Sequence, residues 1–457
     1  MGDPILILSS FVCLCLLLVL FRFLHRFWWT PVYIQYRLGS QGIKGPSYKF
    51  IHGNTKEMLK MKNEALSKPL SLLDDIFPRV LPHVYTWMNN YGKNHLSWRG
   101  GEPQLLITEP ELIKEVLNNR DGSYLKASLP FYSMKLMGLA TSEGEQWVKH
   151  RKLINPTFQG ENLGKMIPGM IVSVELMLQS WKKYQAKEIE IEGDKLLGVM
   201  HNSVMEIIKK REEKVKLGDI DCYGTDFLGL LLKAYHDVDE NKRILVQDLI
   251  DECKTFYIAG QETINSLLSW TVLLLAIHTD WQDKAREEVI ELFGHQNPHP
   301  NDLSKLHTIS MIINEALRLY PPTVAFIRRS EREVRLGKFI LPANIQLFIS
   351  NLVVHRDPGI WGDDAHLFKP ERFSGGVAKA TSNNVAAYFP FGIGPRTCVG
   401  FNFATVGAKI VLIMILQRYR FTFSPTYVHS PVINFLLVPQ HGIQVILHSL
   451  QSDEGPS

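Results

Sequence analysis

The stretch from Phe391 to Gly400, FGIGPRTCVG, constrains this chain more than any other, because it sets one cysteine among residues that suit a metal-bound thiolate. A thiol ionises beside a metal, so Cys398 is the candidate ligand. Gly392 and Gly394 admit tight or left-handed turns, which can aim peptide N–H groups at the sulfur and tune its basicity. Phe391 is placed to shield the sulfur. Arg396, two residues before it, carries a guanidinium fork suited to a carboxylate. Gly400 leaves room for the following helix to pack closely. A lone Gly-x-Gly would mean no more than a loop around a structural cysteine; the full pattern sets this stretch apart.

At 457 residues, with 45% hydrophobic and 21% charged residues, the chain has the composition of a large globular core. Fifty Lys and Arg against 46 Asp and Glu leave a net charge of only +4, so nothing points to nucleic acid. The five cysteines form no CxxC pair and no even framework, which sets aside zinc sites and a secreted disulfide fold.

From Ile5 to Phe21 only Ser9 and Ser10 interrupt an apolar run just long enough to cross a bilayer as a slightly short helix. Trp28, Trp29 and Tyr33 follow as an interfacial belt. Arg22, Arg26, Arg37 and Lys44 all lie downstream with only Asp3 upstream, so the positive-inside rule puts the remaining chain in the cytosol. A cleaved signal peptide is the competing reading; the run lacks a basic leader and an evident small-residue cleavage site.

Further along, His95–Gly100 and Pro103–Thr108 read as strands of a hairpin turning at Gly100-Gly101, and Pro110 opens a helix through Leu117. Long helical patterns cover Met166–Gln185 and Gln247–Thr279. Short strands gather at Arg335–Ile349 and Phe421–Leu447. The expected class is mainly α with a minor sheet.

The ten-residue string fits Phe-x-x-Gly-x-Arg-x-Cys-x-Gly, and on it the chain resembles the cytochrome P450 monooxygenases. The resemblance implies a cytochrome P450 fold with a long central helix and small β-sheets, preceded by an N-terminal transmembrane helix. It also implies haem b, with the Cys398 thiolate as the axial ligand that favours O–O cleavage. Residues 1–26 would be the membrane anchor, 27–46 a linker with its hinge at Gly42, Gly45 and Pro46, and 47–457 the catalytic domain.

Three constellations extend the resemblance. In Ala259-Gly260-Gln261-Glu262-Thr263, Ala259 and Gly260 leave room for dioxygen and Gly260 weakens the helix enough to admit water. Thr263 would hydrogen-bond the oxygen and Glu262 would relay protons, as the family's oxygen-activation motif does; alone, the pentapeptide is an ordinary helix segment. Glu315 and Arg318 share a helix face. The resemblance joins them with Arg372 of Pro370-Glu371-Arg372-Phe373 in a buried network that braces the cysteine loop. Trp147 and Arg151, also on one face, match the family's Trp-x-x-x-Arg motif and would reach a haem propionate. Arg328 after Pro321-Pro322 would be another partner, with Arg329 as an immediate competitor.

QGIKGPSYKF and WGDDAHLFKPERF narrow the resemblance to the plant microsomal clan whose members oxidise terpenoids and hormones. The pocket would draw on Phe131–Leu139, the helix face before Ala259, and Thr323–Ile327. Their apolar character suits a terpenoid, steroid-like or fatty small molecule, with plain core packing as the alternative for each.

One departure stands out. Between Ile191 and His201 the chain passes directly to a segment resembling a much later family helix, so an internal segment is missing near residues 192–200. The implied activity is insertion of one oxygen atom from O2 into an apolar small molecule, with electrons from NADPH through NADPH-cytochrome P450 reductase. The setting would be the endoplasmic reticulum membrane, single-pass, with the catalytic domain cytosolic. The basic run Lys149, His150, Arg151 and Lys152 could dock an acidic partner or be a solvated face. Two alternatives are an O2-independent haem-thiolate isomerase or dehydratase, against which Glu262 and Thr263 argue, and a truncated, inactive haem-binding protein.

Overall fold

The computed structural model describes residues 4–127, 138–181, 188–190, 200–218, 223–224, 226–240 and 243–450. They form two compact units. The first comprises residues 1–69, 75–127 and 325–350; the second comprises 70–74, 128–324 and 351–457.

The first unit begins with helix Pro4–Leu24, continues through a π-helical segment at His25–Trp29 and ends with helix Thr30–Gly39. Residues Leu8–Gly39 make a helix long and apolar enough to cross a bilayer, and its most apolar window has no residue buried in protein. Helix therefore runs through residues 27–39 of the segment expected as linker. Its last turns are amphipathic, with Pro31, Ile34 and Leu38 buried. Gly42 then takes a positive φ of 86°.

The same unit holds a five-stranded sheet in the spatial order Leu96–Arg99, Glu102–Ile107, Gln346–Ile349, Phe326–Ser330, Tyr124–Lys126. The hairpin at Gly100-Gly101 pairs Leu96 with Leu105. Glu102–Ile107 then runs parallel to Gln346–Ile349, with Leu105 opposite Leu347. Alternating apolar residues are not needed here, since Gln104 through Ile107 are all buried. Helix Pro110–Leu117 starts at its proline and buries Leu112, Ile113, Val116 and Leu117 on one face.

The second unit is helical around Val246–Ile277, a helix of 32 residues. Its first half is amphipathic. From Ser266 to Ala276 nearly every position is buried, so this part is a core element on all sides. Helix Thr308–Leu319 buries Ile309, Ile312, Ile313 and Ala316 at helical spacing, and Phe401–Leu416, directly after the cysteine loop, is buried throughout its last turn from Leu412 to Leu416. Helix Gly160–Trp181 starts a turn and a half before the expected Met166 and carries Pro168 inside it. Small sheets complete the unit: Glu188–Glu190 and Tyr419–Phe423 flank Gln444–Ser449, and Pro431–Asn434 pairs with Leu436–Pro439.

Close backbone approach fixes where the chain leaves the N-terminal helix. A Cβ on Gly45 would fall 1.8 Å from the Leu96 carbonyl oxygen, whereas one on Gly39 would meet nothing within 4 Å. Gly45→Ala should therefore destabilise the protein by about 1–3 kcal/mol, since the clash is with backbone. Gly39→Ala should be close to neutral. Thermal unfolding of the two variants side by side checks this; equal midpoints would refute it.

Candidate active site

The site is built around the turn that presents Cys398. Gly392 and Gly394 adopt φ of 71° and 78°, the left-handed region open to glycine. The Gly392 N–H donates to the Phe389 carbonyl at 2.9 Å and the Cys398 N–H to the Phe391 carbonyl at 2.9 Å, closing the loop on itself. Phe391 packs edge-on against Phe401 with ring centroids 4.8 Å apart. A Cβ on Gly400 would sit 3.9 Å from the Cys398 sulfur, so glycine there keeps the flank of the sulfur clear.

Cys398 is accessible to solvent. Burial nevertheless pushes its thiol above the ordinary value, while the Gly400 amide and the Arg151 charge pull it down. The two observations agree if the sulfur faces a recess rather than open surface. A thiol held in this way is a poor free nucleophile; it becomes a thiolate when a cation coordinates it. This donor set fits haem: one sulfur in a recess, an amide beside it, and two guanidinium groups close by.

Those guanidiniums have protein partners. Arg151 donates from Nη1 to the Thr397 carbonyl at 2.7 Å. Arg396 donates to the Ser142 carbonyl at 3.1 Å, pairs with the Glu143 carboxylate and lies 4.4 Å over the Trp147 ring. Burial lowers both arginines from their usual value, and both remain charged at neutral pH. Trp147, Arg151, Phe391, Arg396 and Cys398 are thus gathered in one place. Arg328 belongs to the first unit, on strand Phe326–Ser330. It is buried and donates to the Ile327 carbonyl at 3.1 Å, whereas the half-exposed Arg329 is committed to Glu331 at 2.8 Å.

The long helix meets the cysteine loop through an apolar cluster. Buried Leu139, Ile154 and Phe158 pack with Trp147, Phe256, Val399 and Phe403. Phe158 stacks on Phe256 at 5.3 Å and meets Phe403 edge-on at 5.7 Å. One to two turns beyond Phe256 come Ala259, Gly260, Glu262 and Thr263, all half-buried. A Cβ on Gly260 would meet no atom within 4 Å. The helix is continuous through Gly260. Thr263 Oγ1 donates to the Ala259 carbonyl at 2.6 Å, which leaves its lone pairs as acceptors.

Sequence reasoning missed a second carboxylate. Glu252, fully buried on the long helix, accepts from His150 Nδ1 at 2.5 Å and from the Leu139 N–H at 2.7 Å. His150 therefore leaves the basic face expected of its helix, and Lys149 reaches the Arg243 carbonyl at 2.6 Å, while Lys152 is exposed. Of the expected pocket residues, 131–137 lie outside the described residues, as does most of the expected deletion near 192–200.

Glu315 and Arg318 have no exposed side-chain surface. Arg318 clasps the carboxylate with Nε and Nη2, both at 2.7 Å, and its other donors go to the carbonyls of His355, Ala365 and Leu367. Glu315 also accepts the Lys369 N–H at 2.8 Å. Arg372 joins more loosely than expected: Nε is 3.6 Å from Glu315, and its hydrogen bonds go to Asp364 and the Trp361 carbonyl. Lys369 and then Arg372 hold the Asp364 carboxyl down at about 2.

One cysteine in a recess, with aromatic rings and arginines around its loop, is the donor set of a haem-thiolate protein. Comparison with known proteins agrees. The cytochrome P450 family model matches residues 76–198 and 192–447, and the chain belongs to that family. It is 46% identical to cytochrome P450 CYP749A22 of Panax ginseng over 514 aligned positions, 98% of each chain. It is 37% identical to 11-oxo-beta-amyrin 30-oxidase of Glycyrrhiza uralensis, over 93% of this chain and 94% of the relative. Secologanin synthase 1 of Catharanthus roseus is also 37% identical, over 94% and 95%. The second family match starts at residue 192, before the first ends at 198, and the 457 residues here against about 514 in relatives are consistent with a missing internal segment. The chain is thus a cytochrome P450 monooxygenase that uses haem b and NADPH electrons delivered by a reductase.

Removing one partner of a fully buried ion pair strands the other, at a cost of about 3–5 kcal/mol. Arg318→Ala and Glu315→Ala should each abolish haem incorporation, measured as haem per protein after purification. Arg372→Ala should be milder because its bonds run to the more exposed Asp364. A normal holoprotein from either of the first two would refute the structural role.

Proposed function

We propose that this P450 inserts one oxygen atom from O2 into a terpenoid-class substrate, anchored in the endoplasmic reticulum membrane with its catalytic portion in the cytosol. The observation that carries the reading is the Cys398 sulfur, solvent-accessible yet hemmed in by protein, beside Arg151 and the Gly400 amide. Haem b, when bound, supplies the redox chemistry of the reaction.

The chain's own residues have separate tasks. Cys398 ligates the iron, Gly400 donates toward the sulfur, and Phe391 shields one side. Trp147, Arg151 and Arg396 serve the propionates; Arg151 and Arg396 have donors beyond those given to Thr397, Ser142 and Glu143. Ala259 and Gly260 keep side-chain bulk away from the reacting centre. Thr263, its hydroxyl proton turned to Ala259, accepts a hydrogen bond at the site, and Glu262 one position earlier holds and releases protons. The substrate class is supported by the relatives named for 11-oxo-beta-amyrin oxidation and secologanin synthesis. The membrane setting is supported by the apolar helix and by the basic residues that follow it.

The decisive measurement is a reduced carbon-monoxide difference spectrum of membranes containing the protein, followed by turnover with NADPH, reductase and a terpenoid panel under labelled O2. We expect the thiolate-type spectrum, its loss in Cys398→Ser, and label in the product. Absence of the spectrum would favour an inert, shortened protein. Unlabelled product formed without O2 would favour an isomerase or dehydratase.

A further inference from the structure

We propose that His355 is a positioning residue for the cysteine loop, the link through which the buried Glu315–Arg318 pair holds Cys398 in place. The inference rests on reading Cys398 as the haem ligand.

His355 follows the short helix Asn351–Val354 and has no exposed surface. The Phe389 N–H donates to its Nε2 at 3.0 Å. Nε2 must therefore be unprotonated, which places the imidazole proton on Nδ1. Nδ1 faces the carbonyls of Leu317 and Arg318 at the end of helix Thr308–Leu319, outside good hydrogen-bond geometry. Burial and the nearby charges of Arg318 and Arg356 hold the imidazole well below its ordinary pKa, so the neutral tautomer is the stable one. The ring is wedged between Tyr388 and Phe389, with centroids 5.2 Å and 5.3 Å away.

The backbone of His355 is gripped by the ion pair, because its carbonyl accepts from Arg318 Nη1 at 2.7 Å. Its side chain in turn grips Phe389, whose carbonyl accepts the Gly392 N–H, and two residues on the Phe391 carbonyl accepts the Cys398 N–H. A single hydrogen-bonded route thus runs from Glu315 through Arg318, His355 and Phe389 into the thiolate turn. Pro390 has no N–H, so Phe389 offers the last donor by which the chain can be held before that turn. An acceptor with the reach and shape of Nε2 is the specific requirement. Without it a buried N–H is stranded at the foot of the loop.

Two variants of the full-length protein separate this role from plain packing. His355→Leu keeps apolar volume and removes the acceptor; His355→Gln offers Oε1 near the position of Nε2. Haem per protein is measured alongside the ratio of thiolate to non-thiolate ferrous–carbon monoxide complex. We expect His355→Leu to lower that ratio about ten-fold, the scale of a lost partner behind a metal ligand, and His355→Gln to keep it within about two-fold. An unchanged ratio in His355→Leu would overturn the proposal, as would a fall in His355→Gln as large as in His355→Leu. If His355→Leu yields no folded protein, His355→Gln decides alone: a wild-type ratio supports the proposal and a lost one overturns it. Failure of the unmodified protein to show the thiolate complex would instead remove the haem-thiolate reading beneath it.

Discussion

The Glu315–Arg318 ion pair is the interaction on which the helical unit depends. Both side chains are sealed from water, and the carboxylate and guanidinium meet through two hydrogen bonds of 2.7 Å. Desolvating two charges is costly, and only good geometry with the remaining donors satisfied offsets it. Arg318 meets that condition by spending its other N–H groups on three carbonyls spread from His355 to Leu367. The pair is therefore less a source of net stability than a fixed point from which an irregular stretch of chain takes its shape. Irregular backbone cannot satisfy its own carbonyls as a helix does, and a buried guanidinium is well suited to collect them.

A second charged constellation works the same way nearer the sulfur. Arg396 is tied to Glu143 and the Ser142 carbonyl and lies over the Trp147 ring, while Arg151 reaches the Thr397 carbonyl. The loop bearing Cys398 is thus pinned from the side of helix Gly144–Ile154 as well as from the ion pair. His150 on that helix is fastened to Glu252 of the long helix, so the elements around the sulfur share buried polar contacts as well as apolar packing. An arginine that stacks and pairs at once is not replaceable by lysine, whose ammonium has neither the plane nor the fork.

Much of this was legible in the residues. The Gly100-Gly101 hairpin, the helix opened by Pro110 and the long helix, expected from Gln247 and found from Val246, follow from local rules that operate within a few residues. Spacing alone puts Trp147 and Arg151 on one helix face; that they meet Arg396 and the Cys398 loop was an expectation of the family resemblance only. Helix Gly160–Trp181 starts before Met166 with Pro168 inside it, and Leu163 and Ile167 are buried on its first turns. Glu143, Glu252 and His355 were not legible as site residues. Each acts on a partner distant in the chain, and nothing in the neighbouring sequence distinguishes a buried carboxylate or imidazole from a solvated one. Arg372 lies within ion-pair distance of Glu315, as the resemblance implied, while its hydrogen bonds go to Asp364 and the Trp361 carbonyl.

The apolar N-terminal helix does not end at the expected linker but runs on to Gly39, with Ile34 and Leu38 seated in the first unit. Thirty-two helical residues from Leu8 to Gly39 measure about 48 Å, while the hydrocarbon core of a bilayer is about 30 Å thick. The surplus ends in the turns that bury Pro31, Ile34 and Leu38 against the first unit. Whatever tilt the bilayer imposes on this mast, the sheet of the first unit inherits it, because no slack cord lies between them.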